Sequence, residues 1–221
     1  MACLFSGGKD STLALHRVHG QGKKVELLIT MVSENDFSYM FHKPNINLSG
    51  MQAEALQIRQ VVYQTKGEKE KELADIEKAL KENNVTELVT GAVASTYQKE
   101  RIERICERLS IEAISPIWQI DPMEELAELS SNYNVIVTQI AAEGFDSSFL
   151  GARVDEQLIK KLVKIRERYK INMLFEGGEA ESFVLDAPLF KKRIEIQKSH
   201  VSWSGSVGRY IIDEAGLVAK D

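Results

Sequence analysis

The chain has 221 residues, 43% of them hydrophobic and 28% charged, with a net charge of −5. That composition suits one large globular domain, or one and a half, with a sizeable core. It argues against indiscriminate nucleic-acid binding, though a local basic patch stays compatible with it. No stretch approaches the roughly 20 apolar residues of a membrane span. No signal peptide is visible, so a cytoplasmic protein without a membrane partner is expected. Cys3 and Cys106 are far apart and match no metal-ligand spacing, so each reads as a buried thiol in a reducing compartment.

The chain opens on a short apolar strand, Ala2 to Phe5, followed by Ser6-Gly7-Gly8-Lys9-Asp10-Ser11 and then a helix running to about Gly20. Strand, tight glycine turn and helix start form an anion-binding arrangement. The glycines allow positive φ and close approach to the backbone, and the first helical amides and the helix dipole face whatever occupies the turn. Lys9 adds a full positive charge, Ser6 and Ser11 add hydroxyls, and Asp10 adds a carboxylate for a metal ion or a loop amide. The four residues that the P-loop of kinases and GTPases needs between its glycine and Gly-Lys-Ser/Thr are missing here.

Val25 to Val32 reads as a strand buried on both faces. Ser33 to Asp36, Phe37 to His42, Asn45 and Asn47 follow its carboxyl end, where a doubly wound sheet binds ligands. Glu34 is therefore a candidate substrate-binding residue. Ser49 is expected to cap a helix from about Met51 to Ile58. Val61 to Gln64 is expected to be a third strand, and Lys66 to Glu82 a surface helix with Leu73, Ile76 and Leu80 inward.

A fourth strand is expected at Glu87 to Thr90. It leads into Gly91, whose small size lets backbone approach a nucleotide, and into a helix opened by Tyr97, Gln98 and Arg101. For Arg101 a surface ion pair with Glu103 or Glu107 is an equally good reading. Ile111 to Ile114 completes a β-α alternation of five strands, which predicts a doubly wound parallel sheet. A helix from Met123 to Leu129 and a strand from Val135 to Ala141 come next, then a loop-rich passage, a helix from Asp155 to Tyr169 and a strand at Ile171 to Phe175.

Glu176-Gly177-Gly178-Glu179-Ala180-Glu181-Ser182 is the second unusual motif. Three carboxylates in one short loop repel each other unless a cation, a basic group or a proton intervenes, which suits a metal or amine site. Ile194 to His200 and Val207 to Ile212 are expected to close the chain as an antiparallel pair. A soft boundary near residue 130 divides the chain into 1–130, an α/β nucleotide-binding part, and 131–221, a smaller α+β substrate-binding part. His16, His19, His42 and His200 read as surface or core histidines, and no nucleophile elbow supports a Ser–His–Asp hydrolase.

The hexapeptide Ser6 to Ser11 resembles the S-G-G-x-D-S/T loop of ATP pyrophosphatases. Taken with Met31–His42, Gly91–Arg101 and Glu176–Phe190, it makes the chain similar to the diphthine–ammonia ligase family. Members usually carry an aromatic residue where Ala180 stands. The resemblance implies an adenine-nucleotide α-hydrolase-like fold and a C–N ligase that uses ATP and Mg²⁺. Its substrate would be the diphthine carboxylate on translation elongation factor 2, amidated with ammonium through an acyl-adenylate to give AMP and pyrophosphate.

On that resemblance Ser6, Gly7, Gly8, Lys9, Asp10 and Ser11 hold the β,γ-phosphates, Asp10 meets the metal and Gly91 lies near the α-phosphate or ribose. Glu34, Tyr97, Gln98, Arg101, Glu176, Gly177, Gly178, Glu179 and Glu181 form the substrate side, and Lys9, Asp10, Glu179 and Glu181 carry the chemistry. Stable nucleic-acid binding is not expected, and a homodimer is compatible. The alternatives are a related enzyme that adenylates tRNA, or a non-catalytic ATP- or AMP-binding module.

Overall fold

The structure is a computed structural model that describes residues 1–33, 44–67 and 71–220. Glu34 and the Phe37 to His42 stretch lie outside the described residues. Five parallel strands form the first sheet: β1 (Ala2–Leu4), β2 (Leu27–Ser33), β3 (Arg59–Thr65), β4 (Glu87–Val89) and β5 (Glu112–Ile114). Their spatial order is β3-β2-β1-β4-β5. The alternating helices are α1 (Lys9–Gly20), α2 (Ser49–Leu56), α3 (Lys71–Glu82) and α4 (Thr96–Leu109).

Successive residues of a strand point to opposite faces, and the core divides accordingly. Ala2, Ile29 and Leu88 pack with Ile76 and Leu80 of α3 and Ile102 and Ile105 of α4. Cys3, Leu28 and Val89 pack with Leu13 and Val18 of α1, Ala53 and Leu56 of α2, and Leu126 and Leu129 of α5 (Pro122–Asn132). Both faces are covered, which explains why the strands read as apolar runs without alternation. Both cysteines are free and buried, and burial pushes the Cys3 thiol up to about 12.

The second sheet is antiparallel, in the order β7-β6-β9-β8, and is built from β6 (Asn134–Ile140), β7 (Ala180–Asp186), β8 (Lys192–Ser204) and β9 (Val207–Ala219). The closing pair is a hairpin paired from Lys192–Ala219 to Ser204–Val207. Val135, Val137, Ala180 and Val184 face the α1 and α5 side and share its apolar cluster, together with Leu158 and Leu162 of α6 (Glu156–Tyr169). Ile136, Phe183, Leu185, Ile194 and Ile212 form a third cluster on the opposite face. The 130/131 division falls inside α5.

Two sequence-based expectations fail for identifiable reasons. Ile171 to Phe175 is not a strand. The Asn172 side chain accepts from the Leu174 amide at 2.8 Å, Phe175 N donates to Asn172 O at 3.0 Å, and Phe175 takes φ +66°. An asparagine turn thus replaces ladder pairing, while the buried apolar side chains mimic a strand pattern. Ser49 does not cap its helix. It is the first residue of α2, and its hydroxyl accepts from Gln60 Nε2 at 2.9 Å.

His16 clips α1 to the turn after β7. Its Nδ1 donates to Thr12 O at 2.8 Å, its Nε2 accepts from Leu189 N at 3.1 Å, and its ring packs edge-on to Tyr133. Both ring nitrogens are satisfied in the neutral form, and burial lowers its pKa from 6.5 to about 4. A depressed folded-state value means that stability is complete above the unfolded pKa and is lost as pH falls through the window from about 6.5 to about 4. Thermal midpoints measured from pH 7.5 to 4 should therefore fall less steeply for His16→Gln than for the wild type, with a difference on the order of 3 kcal/mol across that window.

Candidate active site

The strand order reverses between β1 and β4, so the turns that leave these two strands face each other across the switch point. The turn after β1 is tied internally through Ser11, whose hydroxyl donates to Gly8 O at 3.2 Å and accepts from Ser6 N at 3.3 Å, with Ser6 Oγ 3.2 Å away. Gly7 takes φ +77°, and a Cβ there would stand 2.1 Å from Gln52 Oε1. Gln52, fully buried on α2, donates to both Gly7 O at 2.8 Å and Val184 O at 2.7 Å.

The turn is backed by β7. Val184 N donates to Gly7 O at 3.0 Å, and Ser182 Oγ accepts from Lys9 N at 3.1 Å. The first amide of α1 is therefore partnered by a hydroxyl from the far half of the chain rather than left open. Neither Gln52 nor Ser182 was singled out from sequence as a site residue, because each acts through a partner remote in the chain.

Gly91 makes room for a helix. A Cβ on it would lie 2.7 Å from Asp10 C and Ser11 N, so α1 starts against bare backbone. Beyond it, Ser95 caps α4 by accepting from Gln98 N at 3.4 Å. Arg101 lies over the Tyr97 ring, 3.5 Å from its centroid, and Lys99 lies 5.0 Å over Trp118. Ala94 N donates to Glu176 Oε2 at 3.2 Å, which joins the β4 turn to the acidic motif.

The acidic motif divides between a turn and a strand. Glu179 folds back on its own loop: its two carboxylate oxygens accept from Asn172 N at 2.7 Å and Gly177 N at 2.8 Å. A Cβ on Gly177 would collide with that carboxylate at 2.7 Å, and Gly178 takes φ +80°. From Ala180 onward the chain is β7. Alternation sets Ser182 toward Lys9 and Glu181 on the other face, opposite Gln139 of β6. Ala180 is buried in the shared apolar cluster.

Lys9 does not project freely into the turn. It is 1% exposed, and its Nζ bonds the Asp10 carboxylate and, at 3.0 Å, Oε1 of Glu125, which is completely buried on α5. Burial pulls the Lys9 ammonium down, but Asp10, Glu125 and, farther off, Glu176 outweigh it and hold its pKa above the usual lysine range. Burial and the Asp10 charge push the Glu125 carboxyl upward, against the pull of Lys9. Sequence reading missed Glu125. Its one signal was an acid beside Leu126 and four residues before Leu129, on the face that α5 buries.

This geometry defines a doubly wound α/β protein whose glycine turn and acidic motif meet at the switch point. Residues 1–113 match the family profile described as the diphthamide synthase N-terminal domain, and residues 121–218 match its C-terminal domain. The chain belongs to the diphthamide synthase family. The curated diphthine–ammonia ligase of Homo sapiens is 31% identical over 91% of this chain and 84% of its own length. That of Schizosaccharomyces pombe is 32% identical over 90% of this chain but only 36% of its own length. The chain is accordingly a C–N bond-forming ligase. A solved structure described as a predicted subunit of tRNA methyltransferase, from Methanocaldococcus jannaschii, aligns at a TM-score of 0.45 and 18% identity, covering 85% of this chain and 97% of that one. At that level it bears on neither fold nor activity. Among the described residues no helix is long and apolar enough to cross a membrane.

Gly91→Ala should force the start of α1 away from the β4 turn. Overpacking of this kind costs about 1–3 kcal/mol, read as a drop of several degrees in the thermal midpoint. Gly20→Ala, where a Cβ meets nothing within 4 Å, should leave the midpoint within about a degree of wild type.

Proposed function

We propose that this ligase makes diphthamide by amidating diphthine on translation elongation factor 2, with ATP as the activating substrate and ammonium as the nitrogen donor. The observation that carries this reading is the meeting of three segments at one switch point: the turn Ser6 to Ser11, the turn Gly91 to Ser95 and the loop Glu176 to Glu179. A carboxylate is a poor acyl donor and needs a better leaving group. One carboxylate oxygen of diphthine attacks the α-phosphorus of ATP and pyrophosphate departs. Ammonia nitrogen then attacks the acyl carbon, AMP departs, and the surplus proton is lost to solvent.

In this reading the turn Ser6, Gly7, Gly8 and Ser11, held in shape by its own internal hydrogen bonds, seats the β,γ-phosphates at the amino end of α1, whose dipole stabilises the charge that develops on the leaving group. Gly91 lies near the α-phosphate or ribose. Glu176, with Tyr97, Gln98 and Arg101 at the start of α4, forms the substrate side, which receives a trimethylammonium group that cannot donate hydrogen bonds; Glu181, on the other face of β7, lies away from it. Glu179 acts by holding the Glu176 loop in shape, since its oxygens are engaged by loop amides. Residues 1–130 serve the nucleotide and 131–221 the protein substrate, with Ser182 crossing over.

Among the described residues no group of three or more His, Cys, Asp or Glu side chains is placed to hold a metal. Asp10 is the residue that would hold Mg²⁺ here, together with phosphate oxygens of the nucleotide and water. Bound in that way it supplies charge neutralisation on the departing phosphates.

The test is to assay AMP, ADP and pyrophosphate with ATP, Mg²⁺ and ammonium, with and without diphthine-bearing elongation factor 2. Equimolar AMP and pyrophosphate, dependent on both ammonium and the factor, is the expected result. ADP as the product, or AMP release triggered by tRNA instead, overturns the proposal. In the same assay Glu179→Gln, which loses one of the two acceptors bracing the Glu176 loop, should lose amidation by on the order of 10²-fold while ATP binding is largely kept.

A further inference from the structure

Glu125 is a fully buried carboxylate that reaches the glycine turn from a helix about 116 residues downstream of Lys9. Its Oε1 accepts from Lys9 Nζ at 3.0 Å, while its Oε2 is buried without a hydrogen-bond partner among the described residues. Lys9 Nζ is shared with Asp10 and sits 5.9 Å from the centroid of the Phe175 ring. The helix bearing Glu125 is fixed at its start by Asp121, which accepts from Met123 N at 2.8 Å and Glu124 N at 3.1 Å. It is held along its length by Arg17 of α1, which bonds Glu124 at 3.1 Å and Glu128 at 2.5 Å. Glu125 is therefore an anchor in a rigid frame, and the flexible four-carbon stem of Lys9 is what it holds.

On charge alone this arrangement works against a polyanion site. One ammonium is opposed by two carboxylates, and a negative group is buried close behind the turn where phosphates would sit. A carboxylate in that place earns its position only through geometry. We propose that Glu125 is a positioning residue: by fixing Lys9 it fixes the Asp10 carboxylate at the start of α1, and so sets the turn in the form that takes a nucleotide polyphosphate with its divalent ion. The inference rests on the nucleotide reading of the turn given above.

Positioning and simple electrostatics predict opposite signs. If Glu125 were only a nearby negative charge, removing it would tighten binding of a polyanion or leave it unchanged. If it positions Lys9 and Asp10, removing it weakens binding although the repulsion is relieved. The experiment is calorimetric titration of full-length wild type, Glu125→Gln and Glu125→Ala with α,β-methylene-ATP and Mg²⁺, alongside thermal midpoints.

The expected result is a dissociation constant raised at least about fivefold in folded Glu125→Gln and further in Glu125→Ala, as small misplacements at such sites are amplified. Glu125→Gln keeps the volume but replaces the charged hold on Lys9 with a neutral amide, so it carries the test should the alanine variant fail to fold. Unchanged or tighter binding in the folded glutamine variant overturns the inference and leaves the proposed function standing. Failure of the wild type itself to bind the analogue overturns the nucleotide reading, and the inference with it.

Discussion

Much of this molecule depends on the contact between the edge strand β7 and the glycine turn. Main-chain bonding of Gly7 to Val184, the hydroxyl of Ser182 on the Lys9 amide and the Gln52 amide spanning two carbonyls give the turn a rigid back. A glycine turn has low intrinsic stiffness, because its residues lose the most conformational freedom on folding. Here that freedom is removed by an element of the other sheet, so the antiparallel half is part of the wall of the site and not merely a neighbour of it.

The same logic recurs across the switch point. Gly91 is bare so that α1 can begin against it, and Glu176 reaches the Ala94 amide, so the β4 turn is held from both sides. Glu179 spends its charge on two amides of its own loop. Of the three acids that looked mutually repulsive in sequence, one is internal bracing, one bonds a neighbouring turn, and Glu181 is turned to the other face of the sheet by strand alternation. The acidic motif thus avoids the repulsion by dividing its carboxylates among different surroundings.

The parallel sheet was legible because its signals are local: a glycine hexapeptide after an apolar run, buried strands without alternation, and helices spaced between them. The position of Gly91 just past a strand end could also be read, since it follows from chain order, whereas the 176–182 motif was placed after a strand that is not there and in fact leads into β7. Glu125 could not. It looks like one more acid on a charged helix until the tertiary fold brings Lys9 to it, and hydrophobic patterning cannot distinguish a buried ion-paired acid from a solvated one. The Ile171 to Phe175 stretch was misread because burial was mistaken for a strand, whereas Asn172 gives the backbone a local alternative.

The bond between Lys9 N and Ser182 spans 173 residues. Closing so long an interval is entropically expensive and is repaid only late in assembly. On a chain emerging from the ribosome, the amino-terminal half would display its glycine hexapeptide long before the strand that stiffens it has been synthesised. The turn thereby gains its stiff backing only once Ser182 and Val184 have been synthesised.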